Sequence, residues 1–122
     1  MGTFDIAQYN ELFFKTVKEY IDTFEKSMKI NDFSEMHRMV HMIKSQHVFM
    51  GYQQSAQFYL SLEKIFYNMK NNNTSFSPEL LSTINVALTI MHKNFKSIEQ
   101  QHKEIDLHTI ISDLEKYIPK PL

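Results

Sequence analysis

Cysteine is absent from the 122 residues. Disulfides, thiolate nucleophiles and cysteine-ligated metals are therefore excluded, and cysteine usage says nothing of compartment. Glycine occurs twice and proline three times, too few for the turns of a β-rich domain. Neither sign of charge dominates: 13 basic residues stand against 14 acidic ones, a net charge of −1. That balance supplies no field for nucleic acid or for an anionic membrane surface. No apolar run approaches membrane-spanning length, and no signal-peptide pattern precedes the first helical segment, so the expected location is cytoplasmic. Met1-Gly2 does not read as a myristoylation site, because Ile6 stands where Ser or Thr is wanted. No Gly-rich phosphate cradle is present, so the chain shows no motif for binding ATP itself.

What the chain does have is apolar residues, 43% of the total, enough to exclude disorder as the default and to close one core. The expected organisation is a single domain over 1–122. Its apolar residues recur at steps of three, four and seven, the period of a helix. The first stripe is Ile6, Phe13, Val17, Tyr20, Ile21, Phe24 and Met28. After Asn31, Asp32 is a plausible N-cap with Glu35 three residues on. The second stripe is Met36, Val40, Ile43, His47 and Met50, ending near Gly51. The third is Phe58, Leu62, Ile65 and Met69, flanked by Tyr59 and Phe66. A polar Asn71–Ser75 connection leads to Ser77-Pro78-Glu79, which reads as N-cap, N1 proline and first-turn acid. The fourth stripe is Leu81, Ile84, Leu88, Met91, Phe95 and Ile98; a shorter fifth is Leu107, Ile110, Ile111, Leu114 and Ile118, ended by Pro119 and Pro121. These patterns predict an all-α fold, an antiparallel four-helix bundle with an additional short C-terminal fifth helix. The methionines mostly fall on stripes as core filler, with Met39 and Met42 expected nearer the surface.

Within the second segment, His41 lies about 130° from the middle of the apolar stripe at about 100° per residue, so it should face solvent. His37, Lys44 and Val48 share its side. On the third segment Glu63 follows Leu62 at the edge of the stripe, and an antiparallel pair joined near Gly51 would bring it beside His41. A neutral imidazole there offers one nitrogen as a nucleophile while its other N–H donates to the carboxylate. That bond fixes the tautomer and supports positive charge on the ring. Lys44 adds a point charge that can attract anionic oxygens.

The spacing of His41, Lys44, Ser45, Gly51 and Glu63 resembles that of histidine phosphotransfer (HPt) domains of two-component signalling. It most resembles the N-terminal phosphotransfer domain of chemotaxis-type (CheA-type) histidine kinases. Arg38 and the segments Ile65–Lys70 and Ser77–Leu81 carry the similarity along nearly the whole chain. The resemblance implies a phosphocarrier, phosphorylated at His41 by a histidine kinase catalytic domain in cis or in trans and emptied by a response-regulator receiver domain. It implies no cofactor on the domain itself, with magnesium held by the kinase or by the receiver. It leaves two lengths of protein open, a free-standing relay domain or the N-terminal piece of a larger kinase. The receiver would dock over His37, Ser45, Gln46 and Val48. One departure from the family is bulk: Ser45, Gln46 and His47 follow Lys44 where small residues are usual.

Other chemistries fit the residues less well. His37 and His41, at i and i+4, could ligate zinc with Glu63, but no H-E-x-x-H motif accompanies them. His47 lies on the apolar stripe and reads as a core histidine bonded to a polar neighbour. His92, His102 and His108 fall on polar faces or in a connection and read as solvated. A non-catalytic helical adaptor with a vestigial motif is the alternative class, favoured by the bulk at Gln46 and His47 and disfavoured by Lys44 and Glu63 being present together.

Overall fold

A computed structural model describes residues 6–120, with side chains from residue 7 onward. The expectations placed on the Ile6 side chain, on Met1-Gly2 and on Pro121 lie outside the described residues. Five helices follow one another: α1 (Ile6–Lys29), α2 (Phe33–Met50), α3 (Gln53–Asn72), α4 (Pro78–Gln101) and α5 (His108–Glu115). No strand occurs among the described residues. The first four form the antiparallel bundle, α2 packing along both α1 and α3 and α4 closing against α1, while short α5 rests on α3 and α4. The fold is therefore the all-α bundle that the periodicity predicts.

The helix ends follow from local chemistry. Asp32 caps α2 by accepting the Glu35 N–H at 3.0 Å, and Ser77 caps α4 by accepting that of Leu80 at 3.1 Å, with Pro78 in the first turn. Gly51 ends α2 at φ 82°. A side chain there would meet nothing within 4 Å, so glycine is required by the left-handed backbone and not by crowding. The Tyr52 N–H then returns to the His47 carbonyl at 2.9 Å, folding the chain back at once into α3. This tight return sets α2 and α3 antiparallel and in register.

The core holds the expected stripes of α2 and α3 almost residue for residue, with Phe24, Met36, Val40, Ile43, Phe58, Leu62 and Phe66 fully enclosed. Two expectations are corrected. Met39, expected nearer the surface, is buried: α2 packs between α1 and α3 and hides two flanks, not one. The axis of the α4 stripe is also displaced. Leu80 is buried while Leu81 is 39% exposed, and the innermost row is Leu80, Ile84, Ala87, Met91, Asn94 and Ile98. Leu88 and Phe95 pack on its border. Bulky residues drew the predicted stripe towards the flank, whereas a small residue and an amide occupy its centre.

That amide, Asn94, organises the far end of the bundle. Its Nδ2 donates to Ser55 Oγ at 2.8 Å, and its Oδ1 accepts the Ile105 N–H at 3.0 Å. Glu104 accepts the Ser55 N–H at 2.6 Å, capping α3 from the α4–α5 connection, since Tyr52 provides no side-chain cap. Gln54 Oε1 accepts the Leu107 N–H. The fifth helix is thereby fastened to the start of α3.

His47 is buried as its place on the stripe predicts. Its Nδ1–H donates to the Ile43 carbonyl at 2.8 Å, and its ring meets those of Phe13 and Tyr59 at 5.1 Å. Burial holds its pKa below the ordinary 6.5, against smaller upward pulls from the Ile43 carbonyl and Glu104. The unfolded chain therefore takes up a proton at His47 before the folded one does. The stability that neutral His47 provides is complete above pH 6.5 and is lost as pH falls towards the folded pKa. This one group should add up to about 1.4 kcal/mol per pH unit to the acid side of a urea-denaturation series. His47→Asn, which keeps a donor towards Ile43, should flatten that slope; an unchanged slope would remove His47 as the source.

Candidate functional site

The α2–α3 return places His41 opposite Glu63. His41 Nδ1 lies 2.6 Å from Glu63 Oε1, and Lys44 Nζ lies 2.5 Å from Oε2 of the same carboxylate. Buried Ile43 on α2 and Leu62 on α3 anchor the neighbouring positions, so the carboxylate is held by its backbone as well as by its partners. A carboxylate only accepts, so Nδ1 carries the proton and Nε2 keeps its lone pair. The His41 side chain is 49% exposed against 14% for Glu63: the base of the pair is sheltered and the ring opens to solvent. Burial pushes the Glu63 carboxyl up. The hydrogen bonds from Lys44 and His41, with their charges, outweigh it and hold the pKa below the ordinary carboxylate value. Glu63 is thus ionised at neutral pH, the state that can accept from both partners.

Lys44 has a partner that the spacing alone does not announce. Its ammonium is tied to Glu63 Oε2, where it neutralises the half-buried carboxylate that also accepts from His41. Its remaining N–H bonds stay available beside the ring.

The other expected site residues are spread around the helix. His37 is half-buried, its ring 5.6 Å from that of Tyr67. Ser45 is exposed, and its hydroxyl donates back to the His41 carbonyl at 3.1 Å. Val48 is 61% exposed. Gln46 is half-buried and lies about 140° around α2 from His41, off the face that bears it. Phe49, which the periodicity does not single out, is 66% exposed and stacks on Tyr9 of α1 at 5.8 Å. With Leu12, 61% exposed, these rings extend an apolar surface from Val48 across to α1. Its only trace in the sequence is a large apolar residue off the stripe. On the opposite side of His41, a groove of about 590 Å³ runs between α2–α3 and the segment after α5, lined by His37, Lys44, Glu63, Tyr67, Ile118 and Pro119.

The remaining histidines are outward-facing but not all simply solvated. His92 Nε2 meets Glu25 of α1 at 2.5 Å, and His108 pairs with Asp106 at 2.8 Å. His102 ends α4 in the left-handed conformation at φ 54°. Among the described residues no three His, Asp or Glu side chains converge as metal ligands, and no helix is long and apolar enough to cross a membrane.

An exposed imidazole with one nitrogen fixed by a half-buried carboxylate and the other free is arranged to act as a nucleophile. A helical bundle carrying such a histidine on its second helix belongs to a definable class, and comparison with family models names it. The Hpt domain model matches residues 8–115, and the chain belongs to the Hpt domain family. Membership supports a histidine phosphotransfer role in phosphorelay signalling, a role in which Hpt domains interact with histidine kinases and response regulators. No curated protein and no solved structure matches the chain.

Proposed function

We propose that His41 is the phosphoacceptor, loaded by the catalytic domain of a histidine kinase and emptied by the aspartate of a receiver domain. The observation that carries this reading is the Glu63 clamp on Nδ1. In the loading step the Nε2 lone pair attacks the γ-phosphorus of kinase-bound ATP. The N–P bond forms as the bond to the ADP oxygen breaks, and ADP leaves with that electron pair. The ring becomes a phospho-imidazolium whose charge Glu63 balances, with the proton still on Nδ1. In the unloading step the receiver's carboxylate attacks phosphorus, and the N–P electrons return to Nε2. Lys44 keeps positive charge beside the phosphoryl oxygens while anchoring Glu63.

The receiver docks over the exposed α2 face, which carries Ser45 and Val48 in the two turns after His41; His37 borders the same face and Gln46 lies beside it. Phe49, Tyr9 and Leu12 extend that surface in apolar character, the composition of an interface core. The spacing of His41, Lys44, Ser45, Gly51 and Glu63 favours a chemotaxis-type kinase system, and we take residues 1–122 as one cytoplasmic phosphotransfer domain. The helical-adaptor alternative is disfavoured by the intact His41–Glu63–Lys44 arrangement.

The test is labelling. Incubated with a chemotaxis-type kinase core and ATP, the chain should take up an acid-labile, base-stable phosphoryl group that maps to His41 and is lost to a receiver domain. No label would leave the adaptor reading standing, and label at another residue would move the site. Glu63→Gln keeps the shape and an acceptor but loses the charge that supports the phospho-imidazolium. It should slow loading by roughly 10- to 100-fold, the worth of one hydrogen bond to a charged group. A rate equal to wild type would take Glu63 out of the mechanism.

A further inference from the structure

A second histidine stands one helical turn before His41, and the transfer chemistry above makes no use of it. His37 shares the α2 face with His41 and Lys44. Helical side chains lean towards the N-terminus, so the His41 ring extends over the turn that carries His37. The His37 ring packs on Tyr67, one turn beyond Glu63 on α3, and lines the same groove as Lys44 and Glu63.

Lysines outnumber carboxylates around His37. From α2 come His41 and Lys44. From α3 come Glu63, Lys64 and Tyr67, with Lys70, whose ammonium lies 5.7 Å from the Tyr67 ring centre. The segment after α5 contributes only uncharged Ile118 and Pro119. Burial, then the charge of Lys70, holds the His37 pKa below its ordinary value against the pull of Glu63; His41 and Lys44 act with Lys70. The nearby carboxylate already spends both oxygens on His41 and Lys44. In the unphosphorylated chain His37 thus has a cationic neighbourhood and no free anion of its own.

Phosphorylation reverses that balance. It adds a phosphoryl dianion and one positive ring charge, a net negative charge one turn from His37. We propose that His37 is a phosphoryl-binding residue, taking up a proton from solvent when His41 is phosphorylated and, as an imidazolium, holding the phosphoryl oxygens over α2. This rests on the reading of His41 as the phosphoacceptor. By linkage, the phosphorylated state is favoured as pH falls through the range in which His37 titrates.

The experiment uses the full chain with ¹⁵N-labelled histidine, phosphorylated by phosphoramidate as a small donor, with the N–P bond mapped to His41. The ring ¹⁵N shifts of His37 are then titrated in the phosphorylated and unphosphorylated chains. The expected result is a His37 midpoint displaced upwards by phosphorylation. In parallel, the phosphoryl group should last longer on wild type than on His37→Gln near pH 6, by roughly threefold, and equally long on both near pH 8.5. A chain phosphorylated at His41 with an unmoved His37 midpoint overturns the proposal. So does a lifetime ratio that is the same at both pH values, which is the behaviour of a packing residue. A chain that accepts no phosphoryl group at His41 fails earlier, and overturns the phosphoacceptor reading along with this one.

Discussion

His41→Gln is expected to abolish kinase-dependent labelling while leaving the fold intact. Glutamine can still place a polar group against Glu63, so the sheltered carboxylate and Lys44 keep a partner. An amide nitrogen has no available lone pair, however, and cannot attack phosphorus. The His41 ring is half exposed and sits outside the core, and substitutions at such positions move stability by only about 0.5 kcal/mol. For a domain of this size that is a displacement of roughly 3 °C or less in Tm. Complete loss of acid-labile label together with a wild-type melting curve is therefore the expected pair of results. Label that persists in a folded His41→Gln chain would move the site. His37, and His92 with its own carboxylate partner Glu25, would be the next residues to replace.

The contact between His41 and Glu63 was legible in the sequence because its two halves obey helical geometry. The stripe of Met36, Val40, Ile43 and His47 sets the phase of α2, and that phase turns His41 outward. The stripe through Leu62 sets Glu63 at the border of α3, and Gly51 makes the return short enough to bring the border against His41. The resulting contact, 2.6 Å across 22 residues of sequence, follows from periodicity and one tight turn. Less legible is anything decided by competition among partners. Lys44 carries the same charge whether it waits for a phosphoryl group or binds Glu63, and only the burial of Glu63 decides the matter. Phe49 looks like a misplaced core residue until its stacking with Tyr9 shows a surface. Leu81 and Leu80 are identical side chains one residue apart, and a difference of about 100° around the axis decides which of them is buried. The centre of the α4 row contains Ala87 and Asn94, which contribute little to an apolar pattern.

Asn94 carries the second large expected effect. Asn94→Ala should destabilise the domain by about 2–4 kcal/mol, more than its polar character would suggest. Truncation removes the acceptor of the Ile105 N–H and the donor to Ser55 Oγ, in a position that is 1% exposed. Each buried group left without a partner costs about 1–3 kcal/mol, and the vacated volume adds to that. Leu81→Ala removes a larger apolar side chain, yet at 39% exposure it should cost no more than about 0.5 kcal/mol. Urea denaturation of the two variants tests the ordering directly. A smaller loss for Asn94→Ala than for Leu81→Ala would mean that the stripe through Leu81 is the true core row after all. The consequence for the site is specific. The Asn94 bonds, with those of Glu104 and Gln54, fasten the α4–α5 connection to α3, and the chain beyond α5 supplies Ile118 and Pro119 to the groove beside His37. The α2–α3 return that sets His41 against Glu63 does not pass through this network. Asn94→Ala should therefore speed amide exchange at Ile105 and Leu107 and loosen the α5 wall of the groove, while His41 stays on Glu63 and is still phosphorylated.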